Sequence, residues 1–145
     1  MQLRKADFND KQKILQLANL LYIEMPDFVW NTEDYIVRQI DRGEYFVAEE
    51  GGGIVGIISL RVRNGKMYIE TLAVAPERQS DGLGTTLIEF AKHFAKEKGF
   101  GALCACAFFE YQNKDFYLKK GFSLLPWTGE YSGHQFHRFE IKLDF

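Results

Sequence analysis

From Leu72 to Thr85 the chain reads LAVAPERQSDGLGT, an apolar run, a proline, a polar turn and two glycines that open a helical pattern. The first backbone N–H groups of a helix have no internal acceptor, and the helix dipole gives that end partial positive charge. Such a turn attracts anions, and Gly82 and Gly84 carry no side chain to hold a diphosphate away from the main chain. Asp81 sets a carboxylate beside this turn, so either it points away or Arg78 offsets it. Glu70 lies just upstream, inside a β-rich run where water is scarce. Cys104 and Cys106 share one face of a strand, too splayed along the chain for a disulfide and too few for zinc, and are expected to be buried and inert. His134 and His137 have no acid pair beside them to complete a metal site.

The elements that must position these groups follow from periodicity. Residues 2–6 alternate as a short strand, and Asp7, Asn9 and Asp10 offer capping oxygens to a helix on which Ile14, Leu17, Ala18 and Leu21 recur. Thr32 and the acids after it are expected to cap a second helix over residues 33–42. Runs at 45–49, 54–62 and 67–74 are rich in β formers, separated by Gly51-Gly52-Gly53 and by a turn centred on Asn64-Gly65, and so predict an antiparallel meander. Leu83, Leu87, Phe90, Ala91 and Phe94 mark an amphipathic helix that stops at Lys98-Gly99. Residues 101–109 then read as a buried strand parallel to the one before the helix. A short helix over 112–120 and strands over 122–125 and 135–143 complete the order, as one domain spanning 1–145.

Composition narrows the functional classes. A chain of 145 residues with 46% hydrophobic residues can bury a core of its own, and a net charge of -2 leaves no basic excess for nucleic acid or an anionic membrane. No apolar run is long enough to span a bilayer, and residues 1–7 lack a secretory pattern, so a cytoplasmic protein is expected.

The whole turn, with Val74, Pro76, Gln79, Gly82 and Gly84 at their spacing, resembles the pyrophosphate-binding signature of the GNAT acetyltransferase superfamily. Tyr117 to Phe122 is similar to that family's second signature, Tyr-x-x-x-Gly-Phe, and the order of elements follows its fold. The resemblance implies an α/β fold with a mostly antiparallel sheet of about seven strands, a central splayed parallel pair and about four helices. It also implies acetyl-CoA as acyl donor, held by Leu72, Ala73, Val74, Gln79, Ser80, Asp81, Gly82, Leu83, Gly84 and Thr85. Asn113 is the asparagine available for the pantetheine arm, because Glu110 stands where the family often has one. The implied catalytic pair is Glu70 as base and Tyr117 as acid toward the coenzyme sulfur, with direct attack by an amine in a ternary complex. A Rossmann-like nucleotide site fits poorly, because the third glycine is missing and the turn follows a meander.

In this fold the acceptor site lies between the first two helices and the C-terminal hairpin. Glu24, Phe28, Trp30 and Tyr131 are the residues expected to form it here. Acidic groups among aromatic walls suit a cationic primary amine of a small molecule or peptide. A homodimer is a further expectation of the fold. An inactive acyl-CoA-binding sensor or partner module is the alternative from another class.

Overall fold

The computed structural model describes residues 1–144. Strands β1 (Gln2–Lys5), β2 (Tyr45–Glu50), β3 (Gly53–Arg63) and β4 (Lys66–Val74) form the antiparallel first half of the sheet. Both tight turns use the left-handed conformations a two-residue hairpin demands: Gly51 and Gly52 have φ of 60° and 81°, Asn64 and Gly65 of 52° and 75°. The triple glycine is thus a hairpin turn and nothing more.

Helix α3 (Leu83–Glu97) makes the crossover from β4 to β5 (Ala102–Phe108). Its face of Leu83, Leu87, Ile88, Ala91 and Ala95 is buried against the sheet, where each large aliphatic contributes roughly 1.5–3 kcal/mol. Gly56 on β3 makes that approach possible, since a Cβ there would stand 3.1 Å from Leu87 and 3.3 Å from Leu83. On the other side of the sheet, α1 (Lys11–Ala18) and α2 (Glu33–Asp41) bury Ile14, Leu17, Ile36 and Ile40 with Tyr45, Val47 and Ile57. Of the three expected capping side chains, Asp7 and Asp10 form a capping box on the short helical turn Phe8–Asp10 that leads into α1. Thr32 precedes α2 as expected, but its hydroxyl donates backward to the Val29 carbonyl at 2.7 Å and caps no helical amide.

Beyond β5 lie α4 (Lys114–Lys119), β6 (Ser123–Leu124), β7 (Gly129–Tyr131) and β8 (His134–Lys142). The sheet order is β1-β2-β3-β4-β5-β8-β6, with β7 paired to β8. Strand β7 raises the seven expected strands to eight; it is three residues long, too short to show alternation, and is made by a turn at Ser132 and Gly133.

Two irregularities in β4 shape the centre. Its parallel pairing with β5 covers only Met67 to Ile69 against Leu103 to Ala105, although β4 continues to Val74 and β5 to Phe108. The strands splay beyond that point. On the other edge, Ser59 faces Thr71 and Leu60 faces Ile69, so Glu70 is the extra residue of a β-bulge.

Candidate active site

The turn after β4 is arranged around main-chain donors. Gly82, at φ 82°, stands at the N-cap of α3 without a capping side chain, and the first amide bonded within the helix is Thr86 to the Gly82 carbonyl. The amides of Leu83, Gly84 and Thr85 therefore have no helical acceptor. Leu83 contributes only its main chain, because its side chain is in the core. Gln79 braces the turn from within, donating Nε2–H to the Val74 carbonyl at 3.1 Å. Arg78 settles the two possibilities for Asp81 by pairing with it at 2.6 Å while also holding Glu50 at 2.9 Å. Asp81 does not line the groove at this turn, whereas Val74, Ser80, Gly82, Gly84 and Thr85 do. Gly84 has a second reason to be glycine: a Cβ would stand 3.1 Å from the Phe116 ring, which forms the opposite wall. The groove measures about 660 Å³.

A second cavity, of about 520 Å³, opens between the splayed strands on the far side of Leu72. One wall is aromatic, with Trp30 edge-on to Phe28 at 5.0 Å, and against Phe108 and Tyr131 at 5.9 and 5.1 Å. Tyr131 and Tyr111 fasten the loop before α2 by donating hydroxyl protons to the carbonyls of Asp27 and Leu21. Glu70 forms the opposite wall. The bulge turns its carboxylate into a cage of donors: Trp30 Nε1–H at 3.1 Å, Arg63 Nη2–H at 2.7 Å and the Tyr35 hydroxyl all donate to Oε1. Gln39 donates to Oε2 at 3.1 Å, and Arg61 lies 3.8 Å from Oε1. Burial, reinforced by this carboxylate, pushes the Tyr35 hydroxyl up to about 12, so it remains a donor at neutral pH.

Groove and cavity meet at Leu21, Leu72, Tyr111, Asn113 and Tyr117, which line both. Tyr117 is locked by stacking on Phe139 at 4.8 Å and by an edge contact to Phe122 at 5.4 Å. Burial raises its hydroxyl well above the ordinary tyrosine range, which keeps the proton on oxygen. Asn113 Oδ1 is buried without a hydrogen-bond partner, an acceptor left open at the junction. An amide N–H of a pantetheine arm is the kind of group that would satisfy it.

Of the residues expected at the acceptor site, Phe28, Trp30 and Tyr131 line the cavity, and Glu24 is exposed outside it. The expectation that Glu24 brings acidity to the site is thereby corrected: the charged side chains lining the cavity are Arg63, Arg138 and the caged Glu70. The expectation of two buried thiols is half corrected. Cys104 is buried, but Cys106 is exposed to the cavity, because the strands have parted at its level. Sequence reasoning passed over Tyr35, Arg63, Tyr111, Phe116, Lys120 and Arg138. Strand alternation from Cys106, with β8 placed beside β5, is a signal that points to Arg138.

A groove beside unpaired helix-start amides, joined to an aromatic cavity at Leu21, Leu72, Tyr111, Asn113 and Tyr117, makes a site with room for two molecules side by side. Residues 14–122 match the Acetyltransferase (GNAT) family, and the chain belongs to that family, whose enzymes use acetyl-CoA as co-substrate. Solved structures agree on the fold. PaiA N-acetyltransferase from Thermoplasma acidophilum, in complex with coenzyme A, superposes with a TM-score of 0.76 at 20% identity, covering 94% of this chain and 96% of that one. Ribosomal-protein-alanine N-acetyltransferase from Brucella melitensis gives 0.79 at 18% identity over 99% and 100%. N-acetylglutamate synthase from Neisseria gonorrhoeae, complexed with coenzyme A and N-acetyl-glutamate, gives 0.82 at 20% identity over 99% of this chain, which spans only 35% of that enzyme. Among the described residues, no helix is long and apolar enough to cross a membrane.

Proposed function

We propose that this protein is an N-acetyltransferase that moves the acetyl group of acetyl-CoA to a primary amine of a small molecule or peptide, by direct attack while both are bound. The observation that carries the reading is the junction, where Leu72, Asn113 and Tyr117 line the diphosphate groove and the aromatic cavity at once. Acetyl-CoA supplies the activated acyl group. Free amides of Leu83, Gly84 and Thr85 hold the diphosphate, and Asn113 Oδ1 accepts from the pantetheine arm. The edge of β4 from Leu72 to Val74, released from β5, orients the thioester carbonyl.

An alkylammonium with a pKa near ~10.4 must lose a proton before it can attack. Glu70 takes that proton on Oε2, the oxygen that accepts only from Gln39 among the described residues. The amine nitrogen bonds to the carbonyl carbon, the carbon–sulfur bond breaks, and Tyr117 gives its proton to the departing sulfur. The second proton of the attacking nitrogen passes through water to the Tyr117 phenolate, and Glu70 releases its own to solvent, so one proton leaves per turnover. Exposed Leu124 and Trp127 near the β6 edge of the sheet support pairing of two copies, which the mass in solution tests.

The test is a panel of amines with acetyl-CoA, following thiol release and the acetylated amine by mass. Amine-dependent release at a rate linear in protein is expected. A second reading, an inactive acyl-CoA-binding module, draws on the saturation of Glu70 Oε1 by donors. Protection by acetyl-CoA with no release from any amine would replace the first reading by the second.

A further inference from the structure

Arg138 is a half-buried guanidinium facing the cavity without a carboxylate partner among the described residues. The contrast with its neighbour is direct, since Arg63 spends its charge on Glu70 at 2.7 Å. Arg138 Nε is sealed from water with no acceptor, a cost of roughly 1–3 kcal/mol for a donor left unmet. The position is nevertheless constructed. Arg138 faces Cys106 across β5 and β8, its guanidinium carbon lies 5.3 Å from the Phe136 ring centre, and β7 closes over it. Gly129 of β7 leaves the room: a Cβ there would fall 2.2 Å from Phe136 and 2.9 Å from Arg138 Nη2.

An unmatched cation in a cavity of substrate size calls for an anion. Arg138 lines the acceptor cavity and does not line the diphosphate groove, so that anion is not supplied by the coenzyme. We infer that the acceptor is an amine bearing an anionic group of its own, held by the fork of Arg138 while its apolar body rests on Trp30, Phe108 and Tyr131. This deepens the proposed acetyl transfer and rests on it. The planar guanidinium favours a carboxylate or phosphate, each able to take two parallel N–H bonds.

The experiment uses matched acceptors with acetyl-CoA and the full chain: L-phenylalanine against L-phenylalaninamide, and O-phosphoethanolamine against ethanolamine. The carboxamide has the less basic amine and so more neutral amine near pH 7, and a preference for the free carboxylate runs against that supply; the fall of the ratio in Arg138→Gln separates anion binding from intrinsic amine reactivity. In at least one pair the anionic member is expected to show a kcat/KM at least ~10-fold higher. In Arg138→Gln that ratio should fall toward one, and in Arg138→Lys to an intermediate value, with unchanged thermal unfolding certifying the fold. Gly129→Ala, which crowds the guanidinium from the other side, should also lower the ratio. Equal or inverted ratios in both pairs, or a ratio unmoved in Arg138→Gln, overturn the inference. Should no amine be acetylated, the same pairs are titrated by NMR against the protein with coenzyme A. Anion-selective binding that Arg138→Gln abolishes then retains the anion site while the transferase reading falls, and unselective or absent binding overturns the anion site.

Discussion

Trp30 donates its indole N–H to Glu70 at 3.1 Å, joining the loop before α2 to the bulged residue of β4. The bond has a consequence for the acceptor. Trp30→Phe keeps an aromatic wall and removes the donor, so the acceptor KM is expected to rise about 5–10-fold while acetyl-CoA affinity stays level. Glu70→Gln should lower kcat/KM by ~10²-fold or more, in keeping with the loss of a positioned base. Initial-rate kinetics on both variants, with unfolding curves alongside, check the pair. A Glu70→Gln enzyme at full speed rejects the base assignment.

Tyr117→Phe removes one oxygen from a ring held by Phe139 and Phe122, and leaves the packing in place. Turnover should fall by ~10²-fold or more, with coenzyme affinity nearly intact. Isothermal titration with coenzyme A, set beside kcat, separates the two effects.

The two glycines of the turn should fail differently. Gly82→Ala adds a methyl into open space but onto a residue at φ 82°, and is expected to lower stability by about 1 kcal/mol. Gly84→Ala meets Phe116 at 3.1 Å and narrows the groove, so its main effect should be a Kd for acetyl-CoA raised by ~10-fold. Thermal unfolding with and without the thioester distinguishes them.

Much of this fold is legible in the sequence. The hairpins at Gly51-Gly52 and Asn64-Gly65, the cap at Asp7 and the face of α3 depend on local chemistry, which a sequence carries directly. The groove was legible for the same reason, since main-chain donors at a helix start need only Gly82 and Gly84 at the right spacing. The aromatic cavity is legible only in part. Its cage draws Trp30, Tyr35, Gln39, Arg63 and Glu70 from four separate segments, and a bulge at Glu70 shifts which side chains share a face. The charge of the cavity is not legible, because Glu24 is close to Trp30 in sequence but outside the cavity in space, while Arg138 arrives from the far end of the chain.

Acid stability offers a test remote from catalysis. Arg4 holds Asp10 at 2.8 and 2.9 Å, and this pairing, aided by the backbone N–H of Asp7, keeps the Asp10 carboxyl below the usual carboxylate range. A carboxyl more acidic in the folded chain than in the unfolded one stabilises the fold at pH above its unfolded value, ~3.9, and loses that contribution as acid carries pH down through the folded value. Asp10→Asn should therefore lower the Tm at pH 7 by a few degrees, about 1–2 kcal/mol, and flatten the decline of Tm in acid. Calorimetry from pH 7 down to about 2 reads both.

The two cysteines should separate by reagent. Cys106 opens on the cavity and Cys104 does not, so a small alkylating agent is expected to label Cys106 alone in the folded protein. Burial pushes Cys104 up to about 11, and burial also raises Cys106, so labelling of Cys106 should be slow near neutrality and quicken as pH rises. Peptide mapping by mass identifies the site, and labelling at both positions contradicts the structure.

Three residue pairs are all that zip β4 to β5. Past Ile69, the β4 edge that faces β5 has no strand paired to it among the described residues, the condition under which an extended chain can add to a sheet. If acetyl-CoA binds as proposed, its pantetheine arm completes the sheet in the same act that loads the donor.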